Sequence, residues 1–169
     1  MWARALLAMA GRVPAEAVLS ATAELAGLQT IDTSRLREQM LSAALSRTDD
    51  NANLTDTLLA TLLLERGHLR LAAGKPADAM ADFEQAAVLA SRLDRTHRKA
   101  LQRRRIEACL AMGEVDIALT IAREMPSVWS AQQFIDAASR YVDEEQVGRA
   151  RRVLAGLREL LGSDAGELV

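Results

Sequence analysis

The sequence predicts an all-α fold built from antiparallel helical hairpins, about nine helices in all. Half of the residues are hydrophobic but only 3% are aromatic. Most of the apolar content is therefore Ala and Leu, which favour helices and carry no branch at Cβ. Only three prolines interrupt the chain, and no stretch shows the apolar–polar alternation that is typical of strands. Together these observations favour helices that pack closely through small side chains.

The predicted helices span 2–10, 14–26, 32–46, 53–73, 76–93, 96–112, 114–125, 127 or 130–142, and 143–162. The first ends before Gly11. The second begins at Pro14, a residue that fits the first turn of a helix, and ends before Gly27. The polar residues 32–34 can cap the third helix, and Asn53 can cap the fourth. These signals divide the first half of the chain into four helices.

Turn residues also bound the remaining helices. The run 74–76 makes a tight connection into the fifth helix, and the sixth ends at Gly113. Pro126 closes the seventh helix, because the residue before a proline disfavours helical backbone. Asp143 is the expected cap of the ninth helix. The last residues, 163–169, are expected to form a flexible tail.

One segment is repeated along the chain. Aligning Gly74 with Gly113 superimposes the segment LAAGKPADAMADFEQA on LAMGEVDIALTIAREM, and both place an alanine five residues past the glycine. A third copy has Glu145 where the other two have glycine. Repeats of this kind indicate stacked units, none of which can bury its apolar face alone.

The pattern resembles the tetratricopeptide repeat, in which a small residue lies midway along helix A and a glycine forms the turn. Helix B then carries alanine, an aromatic residue and alanine at spacings of four and three. The copy that matches best consists of Gly67, Gly74, Ala79, Phe83 and Ala86. Weaker copies consist of Ile106, Gly113, Ala118, Ala122 and Met125, and of Ala138, Tyr141, Ala150, Leu154 and Leu157. The step from Gly74 to Gly113 is longer than the family period of 34 residues.

The resemblance implies a right-handed α-solenoid of stacked hairpins, with one domain over 1–162 and clear repeats over 58–161. In such repeats the A helices line a concave groove that holds a segment of a partner. Carried over by position, the groove residues are Thr61, Leu64, Glu65, His68, Arg103, Arg104, Glu107, Gln132, Ile135, Asp136 and Ser139.

The densest group of charges lies on the sixth helix. Arg103 and Arg104 share a polar face with Lys99, and Arg103 can pair with Glu107 one turn later. This face is either a solvated surface or a patch that attracts an acidic segment of a partner. Nucleic acid is not an expected partner, because the net charge is −2 and no aromatic residue lies there to stack on bases.

The first helix, WARALLAMA, is apolar on nearly all sides and has to be covered. The third helix, additional sequence or a second copy could cover it, so a homodimer through the N-terminal helix is one expectation. Trp129 either fills a wedge between hairpins or is exposed as an anchor for a partner. Trp2 either seals the end of the stack or mediates self-association.

Patterns of catalysis and metal binding are lacking in the sequence. It contains no paired-cysteine motif, HExxH, GxSxG or GxGxxG. Glu65 and His68, one turn apart, are interpreted as an ordinary helix-surface pair, and Cys109 as a small core residue. We therefore expect no enzymatic activity, no metal and no cofactor.

The sequence thus favours a protein–protein interaction module: a scaffold, adaptor or chaperone-like protein that binds a protein or peptide partner. The alternative is a sensory or regulatory domain that binds a peptide or a small ligand. The longest apolar run, 58–64, is far shorter than the roughly 20 residues that a bilayer requires, so no membrane span is expected. A cytoplasmic location is the default expectation.

Overall fold

The computed structural model describes residues 2–28, 32–46, 55–125 and 127–165, and the side chains of 5–28, 32–46, 55–125 and 130–162. These residues form helices and turns with no strand among them, which confirms the predicted all-α class. The helices are α1 (Trp2–Ala10), α2 (Ala15–Ala26), α3 (Ser34–Leu45), α4 (Asp56–Ala72), α5 (Pro76–Val88), α6 (Arg95–Met112), α7 (Val115–Ala122), α8 (Ser127–Asp143) and α9 (Val147–Ala165).

The chain divides into two compact units, Met1–Arg98 and Lys99–Val169. In the first unit α3 packs against α1, α2 and α4, and α4 forms a hairpin with α5. In the second unit α8 forms a hairpin with α9, and α7 packs against α9. The expected single repeat domain over 1–162 stays a prediction.

Three turns share one backbone structure, as the aligned repeats predict. The aligned residues Gly74, Gly113 and Glu145 all have positive φ, at 73°, 84° and 58°. In each turn the next N–H donates to the carbonyl five residues earlier: Lys75 to Arg70 (2.9 Å), Glu114 to Cys109 (2.9 Å) and Gln146 to Tyr141 (2.7 Å). This is the Schellman pattern that ends a helix at a left-handed residue. The equivalence of the three turns is therefore confirmed at the level of the backbone.

The α4–α5 hairpin closes around one aromatic ring. Phe83 is fully buried between Ala79 and Ala86, which are fully buried as well. Its ring lies against Gly67 of α4, where an added Cβ would come within 2.4 Å of Phe83 Cε1. The small residue predicted midway along helix A is thus the position that admits the ring of helix B.

Two helix bounds in the first unit differ from the prediction. The cap of α4 is Thr55, whose hydroxyl accepts a hydrogen bond from the Leu58 N–H (3.3 Å); Asn53, the predicted cap, lies outside the described residues. Helix α5 ends at Val88 instead of 93, and a short 3-10 turn, Ala90–Arg92, follows. The turn brings Leu93 to extended backbone and to 4% exposure. Burial of this leucine is favourable and explains why the chain leaves the helix early.

Two bounds in the second unit also differ. Helix α7 ends at Ala122 and gives way to a turn before Pro126, whereas the prediction extended it to 125. Asp143 belongs to the end of α8 and does not cap α9, because the left-handed residue at 145 ends one helix before the next begins at Val147. Helix α9 continues to Ala165, into the segment that was expected to be a flexible tail. Residues 166–169 lie outside the described residues.

Candidate partner-binding groove

A buried carboxylate joins α4 to α5. Asp82 of α5 is 1% exposed and lies between two arginines of α4. Arg66 donates from Nη2 to Oδ1 (2.6 Å) and from Nε to Oδ2 (3.1 Å), and Arg70 donates from Nη1 to Oδ2 (3.0 Å). Since Arg66 and Arg70 are four residues apart on a helix, they project from the same face toward α5. A carboxylate can be buried here because both of its oxygens are paired.

The ion pairs extend to α3 through Glu38. Arg70 Nε donates to Glu38 Oε1 (3.1 Å), and Lys75 Nζ lies 3.4 Å from Oε2. Burial alone would raise the pKa of Glu38, but the hydrogen bonds and charges of Arg70 and Lys75 hold it below its usual value. Three cations and two carboxylates thus connect α3, α4 and α5, and one positive charge is in excess.

Two surface cavities run along α3 and share Ser42; we call them together the α3 groove. The first has a volume of about 570 Å³ and is lined by Arg35, Glu38, Gln39, Ser42 and Lys75. The second has a volume of about 430 Å³ and is lined by Ser42, Leu45, Ser46, Leu59, Leu63, Arg66, Gln85, Val88 and Leu89. The α3 residues among them recur every three or four positions, so the groove follows one face of this helix.

The α3 groove has a cationic end and a second end, which we call the apolar end, lined by five leucine and valine side chains together with Ser42, Ser46, Arg66 and Gln85. At the cationic end, Arg35 is exposed and the Lys75 side chain is 50% exposed. At the apolar end, Val88 is 81% exposed beside Leu59 and Leu63. This arrangement can accept a carboxylate at one end and apolar side chains at the other.

The four predicted site residues on α4 share one face, but it is not the face that lines the α3 groove. Thr61, Leu64, Glu65 and His68 are all half-buried. At about 100° per residue, they lie on the side of α4 opposite to Leu59, Leu63 and Arg66. The sequence pattern therefore groups them correctly, while the groove uses the other side of the helix.

On α6 the predicted pairing of Arg103 with Glu107 is wrong. Arg104 pairs with Glu107 instead, with Nη1 2.7 Å from Oε2. Arg103 is turned toward α8, where Gln133 is 4% exposed. In the amide orientation that satisfies both groups, Gln133 accepts from Arg103 Nε (2.8 Å) and donates to the Arg103 carbonyl (3.2 Å). Arg103 thus has a structural contact between α6 and α8.

The predicted residues on α8 form an exposed ridge. Gln132 donates from Nε2 to Asp136 Oδ1 (2.7 Å), Ile135 is 47% exposed, and Ser139 is exposed. The four α4 residues belong to the first unit, and the α6 and α8 residues belong to the second. A single concave surface made of all eleven residues stays a prediction.

Other sequence-based candidates fall into two groups. Cys109 is fully buried, which confirms its interpretation as a core residue. The side chains of Trp2 and Trp129 lie outside the described residues, so both interpretations of each stay open. Within the described ranges, no group of three His, Cys, Asp or Glu side chains lies close enough to hold a metal ion.

Sequence reasoning missed the ion pairs around Asp82, although the pattern carries a signal. Arg66 and Arg70 are four apart on one helix, and Asp78 and Asp82 are four apart on the next. Charges with this spacing on antiparallel helices can face each other across a hairpin. In the structure Asp82 is buried and forms the ion pairs, whereas Asp78 is exposed.

None of the described helices is both long and apolar enough to cross a bilayer. Comparison with known proteins finds no matching family model, no matching curated protein and no matching solved structure.

Proposed function

We propose that this protein is a protein–protein interaction module that binds a segment of a partner in the α3 groove. The observation that carries the proposal is the polarity of the groove, cationic beside Lys75 and apolar beside Val88. A segment with an acidic residue near one end and a large apolar residue near the other fits this surface. The groove is part of a non-enzymatic scaffold, adaptor or chaperone-like protein.

The length of the groove favours a peptide. Helix α3 has 12 residues and is therefore about 18 Å long, which matches roughly five residues of an extended segment. Recognition of such segments combines apolar pockets with a few fixed charges. The ion pairs around Asp82 hold the three helices that line the groove, so its shape is set before a partner arrives.

The proposed architecture is a right-handed α-solenoid of tetratricopeptide-like hairpins. Support comes from the three equivalent turns and from the ring of Phe83 against Gly67. In this architecture the exposed ridge on α8 would offer further contacts to a long partner. The α3 groove and the exposed ridge on α8 would then be separate parts of one binding protein.

A small anionic ligand is the second candidate. The two cavities, about 570 and 430 Å³, fall within the roughly 300–1,000 Å³ that small-molecule sites occupy. A protein that binds such a ligand in the groove would be a sensory or regulatory domain, and the selection of peptides distinguishes it from a peptide-binding module.

The test is selection from a displayed library of random peptides, followed by fluorescence anisotropy with the full chain. We expect the enriched peptides to combine an acidic residue with a large apolar one. Arg35→Glu and Val88→Asp should each weaken their binding by about tenfold or more, which corresponds to about 1.4 kcal/mol. Both side chains are exposed, so the fold should tolerate the changes.

Two exposed positions provide matched controls. Arg98→Glu makes the same charge change in the same unit, and Val142→Asp makes the same apolar change in the other unit. Neither should alter binding. Enriched peptides without acidic residues, or equal losses in groove and control variants, would refute the proposal. No enriched peptide together with saturable binding of small organic acids would assign the groove to the sensory function.

A further inference from the structure

Helix α9 exposes a line of large apolar side chains. Val147, Leu154 and Leu161 are 53%, 49% and 49% exposed. They are seven residues apart, which places them on one side of the helix. The buried side of α9 is different and contains Val153 and Leu160. The exposed line is therefore not part of the core of its unit.

Two arginines alternate with the apolar residues along this line. Arg151 and Arg158 each follow an apolar residue of the line by four positions and are exposed. Among the described residues, none forms an ion pair with either guanidinium. Glu159, the nearest acid along the helix, is paired with Arg123. The face is consequently apolar and positively charged.

Small residues lie beside the line with the same spacing. Gly148, Ala155 and Gly162 each follow a member of the line by one position, and all three are exposed. A Cβ added at Gly148 or Gly162 would meet no atom within 4 Å. Another helix can therefore approach the backbone of α9 closely at these positions, as it does where small residues line helix–helix contacts.

We propose that this outer face of α9 docks an amphipathic helix of a partner protein, with apolar residues every seven positions and acidic residues opposite Arg151 and Arg158. Charge complementarity identifies the occupant. A second copy of the line brings no acidic residue to either arginine. An antiparallel copy centred on Leu154 would moreover place arginine against arginine at both positions, and like charges in contact oppose association. A helix that carries Glu at the facing positions pairs with both guanidiniums instead. The proposal does not depend on the α3 groove, which lies in the other unit.

The test uses two fluorescein-labelled synthetic peptides, each three heptads long. Both carry Leu and Ala in the heptad positions that face α9; one has Glu opposite the arginines and the other has Lys. With the full wild-type chain, anisotropy should show binding of the Glu peptide about tenfold or more tighter than that of the Lys peptide. The preference should decrease as salt is raised, because the pairs are at the surface.

Charge reversal is the decisive variant. Arg151→Glu with Arg158→Glu should invert the preference, so that the Lys peptide binds more tightly. The control, Arg140→Glu with Arg152→Glu, makes the same change in net charge at exposed positions off the line and should keep the preference for the Glu peptide. Leu154→Ser should weaken binding of both peptides, with circular dichroism confirming that the helices remain.

Two outcomes would overturn the proposal. One is a preference that the reversal on α9 leaves unchanged, or that the control reversal inverts equally. The other is a wild-type dimer in sedimentation that Leu154→Glu dissociates, because that result would give the face to a second copy of the chain.

Discussion

Asp82 is a carboxylate with almost no access to water, held by the guanidiniums of Arg66 and Arg70. Replacing it by Asn would leave Arg66 without its counter-charge and Arg70 with Glu38 alone. We expect Asp82→Asn to lower the free energy of unfolding by about 3 kcal/mol, in line with other broken buried pairs. Urea unfolding followed by circular dichroism measures the change. Asp78→Asn, at an exposed position of the same helix, should alter stability by less than about 0.5 kcal/mol; equal effects would mean that the buried pairing contributes nothing specific.

Glu145 occupies a left-handed turn position where the two equivalent turns have glycine. A side chain with a Cβ is strained at φ 58°, by about 1 kcal/mol. Glu145→Gly should therefore raise the thermal stability of the second unit, with a gain of about 1 kcal/mol. Glu144→Gly, one position earlier in the turn, should give no gain, since glycine there adds freedom to the unfolded chain and removes the hydrogen bond from Gln146 Nε2. A loss at 145 would show that its side chain is needed in the turn.

Glu38 makes the stability of the first unit depend on pH. Its pKa is lowered from 4.5, because the hydrogen bonds of Arg70 and Lys75 outweigh the effect of burial. A carboxyl with a depressed folded pKa contributes its full stability above the unfolded pKa and loses it as the pH falls through the folded pKa. The difference in unfolding free energy between wild type and Glu38→Gln should hence be constant near neutral pH and shrink below about pH 4.5. An NMR titration of the side-chain carboxyl measures the folded pKa directly, and a midpoint above 4.5 would contradict the assignment.

At the scale of elements, the α4–α5 hairpin depends on the space at Gly67. An alanine there would place its Cβ 2.4 Å from Phe83 Cε1, so the ring or the helix must shift. We expect Gly67→Ala to destabilise the protein by about 1–3 kcal/mol, as overpacked cores do. Combining it with Phe83→Leu should cost less than the sum of the two single changes.

The matched control is another helical glycine. A Cβ at Gly148 meets no atom within 4 Å, so Gly148→Ala should be neutral or slightly stabilising. If both substitutions behaved alike, the close approach at Gly67 would have no energetic consequence.

Local signals predicted the order of the helices and the three turns. Glycine, proline and capping residues act within a few positions of where they stand in the chain, so Gly74 and Gly113 marked real helix ends. The errors in the predicted helix ends occur where contacts between residues distant in sequence determine the backbone. Burial of Leu93 ends α5 early, and a left-handed glutamate at 145 makes a turn for which no glycine is present. The first effect leaves no local pattern in the sequence, and the second is marked only by the alignment of the repeats, which puts Glu145 at the place of the glycine.

The α3 groove was beyond local reasoning for the same reason. Its walls come from three helices, and its shape depends on pairs such as Glu38 with Arg70 and Arg66 with Asp82. The resemblance to a repeat family predicted binding residues on one face of α4, whereas the groove lies on the opposite face. On α6 the side-chain pairs also depend on a neighbouring helix: Arg103 contacts Gln133 of α8, and Glu107 pairs with Arg104.

At the scale of the whole molecule, the apolar N-terminal residues predict self-association through α1. Helix α1 packs against α3, yet Met9 of α1 remains 57% exposed. If a second copy covers this surface, the wild-type chain should sediment as a dimer and Met9→Glu should sediment as a monomer. Ile117→Glu, at an apolar position of similar exposure in the other unit, should not change the mass. A wild-type monomer at every concentration would refute the expectation.

The chain has one cysteine, and Cys109 lies in α6 with none of its surface exposed. A thiol reagent can reach this sulfur only when α6 separates from its neighbours. The rate of alkylation in native buffer therefore measures how often the second unit opens. The first unit contains no thiol and contributes nothing to that signal. A helix docked on α9 would slow the labelling in proportion to its occupancy. The alkylation rate of Cys109 thus reports on opening of the second unit, and no further cysteine has to be introduced for the measurement.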